Sequence, residues 1–306
     1  MAVVTADLPR PSGMPRWLSV ILGELRRDRI AMVAASVVAA YLVIAVLAPL
    51  VAPSDPNAQN VLGRLQPPIW SEGGSVEHLL GTDALGRDLL SRVIYGARAS
   101  LLIGFLVVLT AGTFGTVLGV IAGYRGGRTD QIISRITDVQ TAFPGLLLAL
   151  TILAVIGPGE MNLVAVFAIN GWMVYARTAR SQTLSIREQA YIEAALAAGS
   201  RQRTIILRHV IPNLASTLVT LATLELARII LAESVLSFLG VGVQSPSVSW
   251  GLMIADAETY MTTNPVLTFV PGVALAVLVL AMNVLASWVR TIADPVQRSR
   301  ESIARG

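Results

Sequence analysis

The chain has 306 residues, of which 54% are hydrophobic and 14% charged, with a mean hydropathy of +0.67 and a net charge of +4; such oiliness excludes a soluble globule. It contains no cysteine, which excludes structural disulfides, thiolate metal sites and iron–sulfur ligation within the chain. All 23 basic residues are arginine, so no P-loop lysine exists, and any ATP that serves this protein must be hydrolysed by another chain.

The apolar residues fall in blocks of about twenty, the length at which a helix crosses a hydrocarbon layer about 30 Å thick. Backbone groups find no water there, so the spans must be helical. The expectation is an all-α integral membrane protein with six transmembrane helices. Residues 1–29 carry Arg10, Arg16, Arg26, Arg27 and Arg29 and read as a cytoplasmic tail, with Trp17–Leu25 a short interfacial helix. Residues 30–52 are the first span, too long for the apolar region of a secretory signal. Residues 53–99 form an extracytoplasmic loop opened by Pro53, Pro56, Pro67 and Pro68.

That loop closes on GTDALGRDLLSRVIYGARASL, from Gly81 to Leu101. Leu85, Leu89 and Val93 recur at helical spacing and predict an amphipathic helix lying in the interface. Gly81, Asp83, Gly86, Arg87, Asp88 and Arg92 make its polar part. The charges resemble a metal or catalytic cluster only superficially; interface packing and salt bridging are the expected role.

Residues 100–290 hold the five remaining spans. In the second, Leu101–Tyr124, Gly115 and Gly119 form a GxxxG, which permits close helix approach. Val139–Ile156 is the third and Met161–Ala176 the fourth. The fifth, Leu214–Leu239, contains Glu225, Arg228 and Glu233. A mid-membrane charge costs about 2.5–3.5 kcal/mol, so these side chains should face protein or water. Glu225 and Arg228 are three apart and can pair on one face. They read either as a gate in a translocation path or as a buried ion pair between packed helices. Residues 240–265 form an extracytoplasmic loop without arginine, where Trp250, Ile254, Ala257 and Met261 share a helical face at the membrane. Leu267–Val289 is the sixth span and residues 291–306 a cytoplasmic tail.

Between the fourth and fifth spans lies a polar hairpin, residues 185–212. Ser185 and Glu188 have capping-box spacing, which predicts a helix over Ile186–Ala198. Gly199 suits a left-handed closing residue, Ser200 a second cap, and Pro212 the end of a second helix. With the N-terminus inside, eighteen arginines lie on the cytoplasmic side and four outside, which places the hairpin in the cytoplasm.

Glu193-Ala194-Ala195, Gly199 and Ile211-Pro212 resemble the "EAA" loop of ABC importer permeases. The Gly81–Arg98 run, GY-x-GG from Gly123, D-x-x-x-AFP from Asp138, and ILAESVLSFLGVGVQSPSVSWG from Ile230 resemble the C-type permease of the dipeptide/oligopeptide (peptide/nickel) transport family. His209 stands where many importer permeases have an apolar residue, a departure that bears on subfamily. The resemblance implies a type I ABC importer permease-like fold in the cytoplasmic (inner) membrane and a non-catalytic subunit for peptide transport. ATPase coupling would then fall on Ala190, Tyr191, Glu193, Ala194, Ala195, Ala198, Gly199 and Arg201. The implied partners are a second homologous permease, cytoplasmic ABC ATPase subunits, an extracytoplasmic substrate-binding protein and membrane lipid. ATP and Mg would be held by the ATPases, with no cofactor, metal or nucleic acid on this chain. Nickel or haem import by the same architecture is an alternative. So is a stand-alone ion-coupled transporter using Glu225, Arg228 or Glu233, against which the absence of a detectable inverted repeat counts. An intramembrane enzyme is disfavoured, because His78 and His209 fall on opposite sides and no nucleophile–base pair is evident.

Overall fold

The structure, a computed structural model, describes residues 23–293; the readings of the two tails at residues 1–22 and 294–306, including the start of Trp17–Leu25, lie outside them. Beside a single turn at Ala48–Val51, ten α-helices carry the architecture among the described residues: α1 (Arg29–Val46), α2 (Leu89–Arg125), α3 (Gly127–Thr141), α4 (Gly145–Ile156), α5 (Glu160–Arg187), α6 (Ala190–Ala197), α7 (Gln202–Ile205), α8 (Ile211–Phe238), α9 (Trp250–Ala257) and α10 (Val266–Ala293). A π-helical segment, Ile206–Val210, joins α7 to α8.

Among the described residues four elements are long and apolar enough to cross a membrane: α1, α2, the continuous Gln202–Phe238 unit and α10. The expected third span, Val139–Ile156, is broken. α3 and α4 meet at 85°, because Pro144 disfavours helical geometry at Phe143 and starts a new helix. With 12 residues α4 is about 18 Å long, short of a crossing on its own. α5 has 28 residues, and its apolar first half gives way to Arg177, Arg180 and Arg187.

The interfacial helix expected over Gly81–Leu101 does not exist as a separate element. Asp88 caps the 37-residue α2, its carboxylate accepting the Ser91 N–H at 2.8 Å, and the span runs on from there. Gly81–Asp88 is a turn closed by a bridge between Thr82 and Asp88. Gly86 sits at φ +72, and a Cβ there would lie 1.8 Å from the Asn60 carbonyl oxygen. Only glycine lets the loop close on itself at that point.

α2 and α8 form the middle of the bundle. On one side α1, α9 and α10 close around the fully buried Trp250; on the other, α4 and α5 close around Leu153 and Leu163. α5 lies against most of α2 because Gly115 and Gly119 bring the backbones together: a methyl at either would sit 2.2 Å or 2.3 Å from a carbonyl oxygen of Trp172 or Ala176. The GxxxG reading thus finds its partner in α5.

Candidate functional site

The hairpin begins later than its sequence suggests. Ser185 and Glu188 do not make a capping box: α5 continues through Arg187, Glu188 closes it, and α6 starts after Gln189. Tertiary contacts override the local signal here. Ile186 is buried, and Arg187 Nη1 donates to the Tyr124 carbonyl at 3.0 Å, so the helix is held past Ser185. At the other end of α6, the Ser200 N–H donates to the Ala195 carbonyl and the Gly199 N–H to that of Leu196, both at 3.0 Å. This is a Schellman closure with Gly199 at φ +79 in the left-handed position.

Ser200 does not cap the next helix. Arg201 takes that place, with no side-chain hydrogen bond. Nor does Pro212 end it: the chain runs through the π segment into α8 without a break. The Ile211 N–H donates to the Ile206 carbonyl, five residues back. That wider turn accommodates a ring which lacks an N–H and would clash with a carbonyl in regular α geometry.

Ile192 is the anchor that sequence reasoning missed. It is fully buried and packs with Ile186, Ile205, Val210, Leu214 and Tyr124. Its helix therefore turns the other residues outward: Ala190, Tyr191, Glu193, Ala194, Ala198, Gly199 and Arg201 are exposed and Ala195 is half-buried. Tyr191 and Leu196, each 46% exposed, add an apolar surface beside Glu193, which forms no ion pair among the described residues. His209 places its ring 6.0 Å from that of Tyr191. No helical periodicity links Ile192 to Ile186, because the break at Glu188 and Gln189 places them in different helices.

The polar helix α3 is pinned to the same end of α5. Arg180 Nη2 donates to Asp130 at 2.7 Å and Arg177 Nη2 to Asp138 at 3.0 Å. The hydrogen bond from Arg180 holds the Asp130 carboxyl below its ordinary value.

Within the spans, Glu225 is buried and accepts from Arg228 Nε at 2.9 Å and Nη2 at 2.5 Å. The Arg228 side chain itself is 57% exposed, on a stripe with Leu224, Leu231, Val235 and Phe238. Glu233 is elsewhere and fully buried, accepting from Ser237 Oγ at 2.7 Å and from Ser100 Oγ of α2 at 2.8 Å. The three acidic and basic groups thus divide into a pair whose arginine alone reaches the surface and an enclosed carboxyl.

The loop cluster is also assembled. Asp83 accepts from Arg87 Nε at 2.6 Å, His78 Nδ1 lies 3.0 Å from Asp88, and Asp256 of α9 approaches both Arg87 and Arg92. Gly81 and Gly86 shape the turn that carries them.

Residues 115–299 match the family described as binding-protein-dependent transport system inner membrane component, and residues 17–68 match the N-terminal transmembrane domain of oligopeptide transport permease C. The chain belongs to this family of importer permeases. Similar proteins include the dipeptide transport system permease DppC of Alkalihalophilus pseudofirmus, 38% identical over 276 residues that span 90% of this chain and 89% of the relative. The di/tripeptide transport system permease DppC of Pseudomonas aeruginosa is 41% identical over 251 residues, 82% of this chain and 83% of its own. The glutathione transport system permease GsiD of Pectobacterium atrosepticum is 38% identical over 273 residues, 89% of each chain. In fold, the permease is similar to a chain of the inward-facing MetNI methionine ABC transporter, with a TM-score of 0.55, 18% identity, and coverage of 66% of this chain and 96% of that one. The permease is a multi-pass inner-membrane subunit of an ATP-binding cassette importer and works with an ATPase and other importer components.

Proposed function

We propose that this permease forms half of the pathway by which short peptides cross the inner membrane, with α6 as the handle gripped by a separate ATPase. The observation that carries the reading is the exposed Tyr191–Glu193–Leu196 surface, fixed from behind by Ile192. α6 hangs between two unbroken levers, since α5 leads into it and α7, the π segment and α8 lead away. A push on α6 therefore tilts both helices together, a two-state element that nucleotide biases through the ATPase. The chain itself hydrolyses nothing: ATP and Mg belong to the ATPases.

The Arg228 stripe supports a second homologous permease on that face. A guanidinium facing hydrocarbon is costly, so α8 is expected to present it to the pathway between two permeases. The loops at residues 53–99 and 240–265 would face the extracytoplasmic binding protein, with both termini in the cytoplasm, as the arginine distribution favours. Relatives named for dipeptide, di/tripeptide and glutathione transport support a peptide cargo over nickel or haem, and a driven importer over a stand-alone ion-coupled carrier.

The test is uptake of radiolabelled dialanine into proteoliposomes holding the permease pair, the ATPases and the binding protein. Uptake should require ATP and the binding protein, and Glu193→Lys should abolish it while leaving the permease folded. Uptake by this chain alone, without ATPases, would overturn the reading.

A further inference from the structure

The Gly81–Asp88 turn, the start of α2 and the helix α9 enclose a cavity of about 330 Å³, at the lower end of the roughly 300–1,000 Å³ seen for small-ligand pockets. Leu89, Met253, Ala257 and Leu267 make its apolar wall, and Asp83, Arg87, Arg92 and Asp256 converge on it. Arg87 and Arg92 are 6% and 2% exposed. Asp83 is committed to the turn: besides Arg87 Nε it accepts the N–H groups of Leu85 and Arg87, each at 2.9 Å. One guanidinium is thereby neutralised at close range.

The other is not. Asp256 approaches Arg87 Nη2 at 3.4 Å and Arg92 Nη2 at 3.5 Å, well beyond the ~2.7–2.9 Å of a charge-assisted hydrogen bond. Its side chain is 45% exposed at the mouth of the cavity. Arg92 Nη1 is buried with no hydrogen-bond partner, its nearest carboxylate being Asp83 at 3.5 Å. A buried guanidinium without a close anion is strongly unfavourable, so the cavity holds one loosely answered positive charge. Asp256 rides on the C-terminal end of α9. The other end is fixed, since Trp250 is fully buried and its Nε1 donates to the Val93 carbonyl at 3.0 Å.

We propose that this cavity is a carboxylate-binding site whose resting occupant is Asp256, and that the C-terminal carboxylate of a short peptide displaces Asp256 from Arg87 and Arg92. The proposal rests on the peptide-import reading for its ligand class. Two guanidiniums offer planar donor pairs that match a carboxylate, and the apolar wall takes the adjoining side chain. The displaced Asp256, whose side chain is already 45% exposed, is left in water at the mouth. Exchange of one carboxylate for another keeps the charge balanced and releases α9 from α2, so that arrival of cargo loosens the outer side of the bundle.

The experiment is calorimetric titration of the assembled permease–ATPase complex in nanodiscs, without binding protein, using dialanine and dialanine amide. Dialanine should bind, with the amide at least about tenfold weaker. Asp256→Ala should tighten dialanine about tenfold by removing the internal competitor, and Arg92→Gln should erase the preference for the free acid. Asp256 is exposed, so its variant carries the test even where Arg92→Gln fails to assemble. A purely structural ion pair makes the opposite forecast for Asp256→Ala: lower thermal stability with no gain in dialanine affinity. That result, or equal binding of acid and amide, overturns the site. ATP-driven dialanine uptake by the same complex with its binding protein separates the two readings. Uptake without tightening by Asp256→Ala removes the site alone, and tightening without uptake removes peptide import alone.

Discussion

Gly119 of α2 lies so close to Ala176 of α5 that a methyl group on its Cα would stand 2.3 Å from the Ala176 carbonyl oxygen. Backbone meets backbone at this point, and there is no flexible side chain to give way. Gly119→Ala and Gly115→Ala must therefore push the two helices apart, at a cost of about 1–3 kcal/mol each. Thermal unfolding of the purified permease should show both, and Gly145→Ala, where a methyl meets nothing within 4 Å, should leave the transition unmoved.

Gly199 closes α6 at φ +79. A side chain in that region costs about 1–2 kcal/mol, and asparagine tolerates it better than alanine. Gly199→Ala should lower cargo-stimulated ATP hydrolysis in the reconstituted importer, and Gly199→Asn should retain most of it. Glu193→Lys changes no backbone angle, so its expected loss of ATPase binding in a pull-down reports on the exposed face alone.

These three glycines mark what the sequence disclosed well. The spacing of Gly115 and Gly119 announced a close helix contact, and Gly199 announced the turn, because each expresses a steric demand carried by a single residue. Demands settled by distant partners were hidden. Ser185 and Glu188 fit a cap, yet Ile186 and Arg187 are held in α5 by contacts with α2. Leu85, Leu89 and Val93 fit a helical face, yet Leu85 lies in a turn because Asp83 gathers the Leu85 and Arg87 N–H groups and Asp88 starts the helix. Glu225, Arg228 and Glu233 looked alike in one span. Only the packing of α8 separates a carboxyl enclosed by serines from a buried carboxyl paired with an exposed arginine.

Asp130 contributes through its bond with Arg180, which lowers the Asp130 carboxyl below its ordinary value. A depressed carboxyl favours the folded state above its unfolded value of about 4, and that contribution disappears as pH falls through the lower, folded value. Thermal stability of the wild type should thus decline below about pH 4 more than that of Asp130→Asn, whose stability is already lower at pH 7. Parallel pH profiles for the two would show that the contact does not stabilise the fold.

Glu233 sits between α2 and α8 with Ser100 and Ser237 donating to it. Glu233→Ala strands both hydroxyls and leaves a cavity, which should cost at least about 2 kcal/mol. Glu233→Gln keeps the volume and an acceptor oxygen and should recover much of the loss. Chemical denaturation in detergent, comparing both with wild type, checks the ordering; equal losses would mean that charge and not the bonded geometry is what the site requires.

The wide turn at Ile206–Val210 sets the azimuth of everything beyond it. One residue on a helix corresponds to about 100° of rotation, so excising a single position there and restoring regular winding would swivel the Glu193 surface about a quarter of a circle relative to α8. The protein would keep its composition, its spans and its docking residues, and present them in the wrong direction.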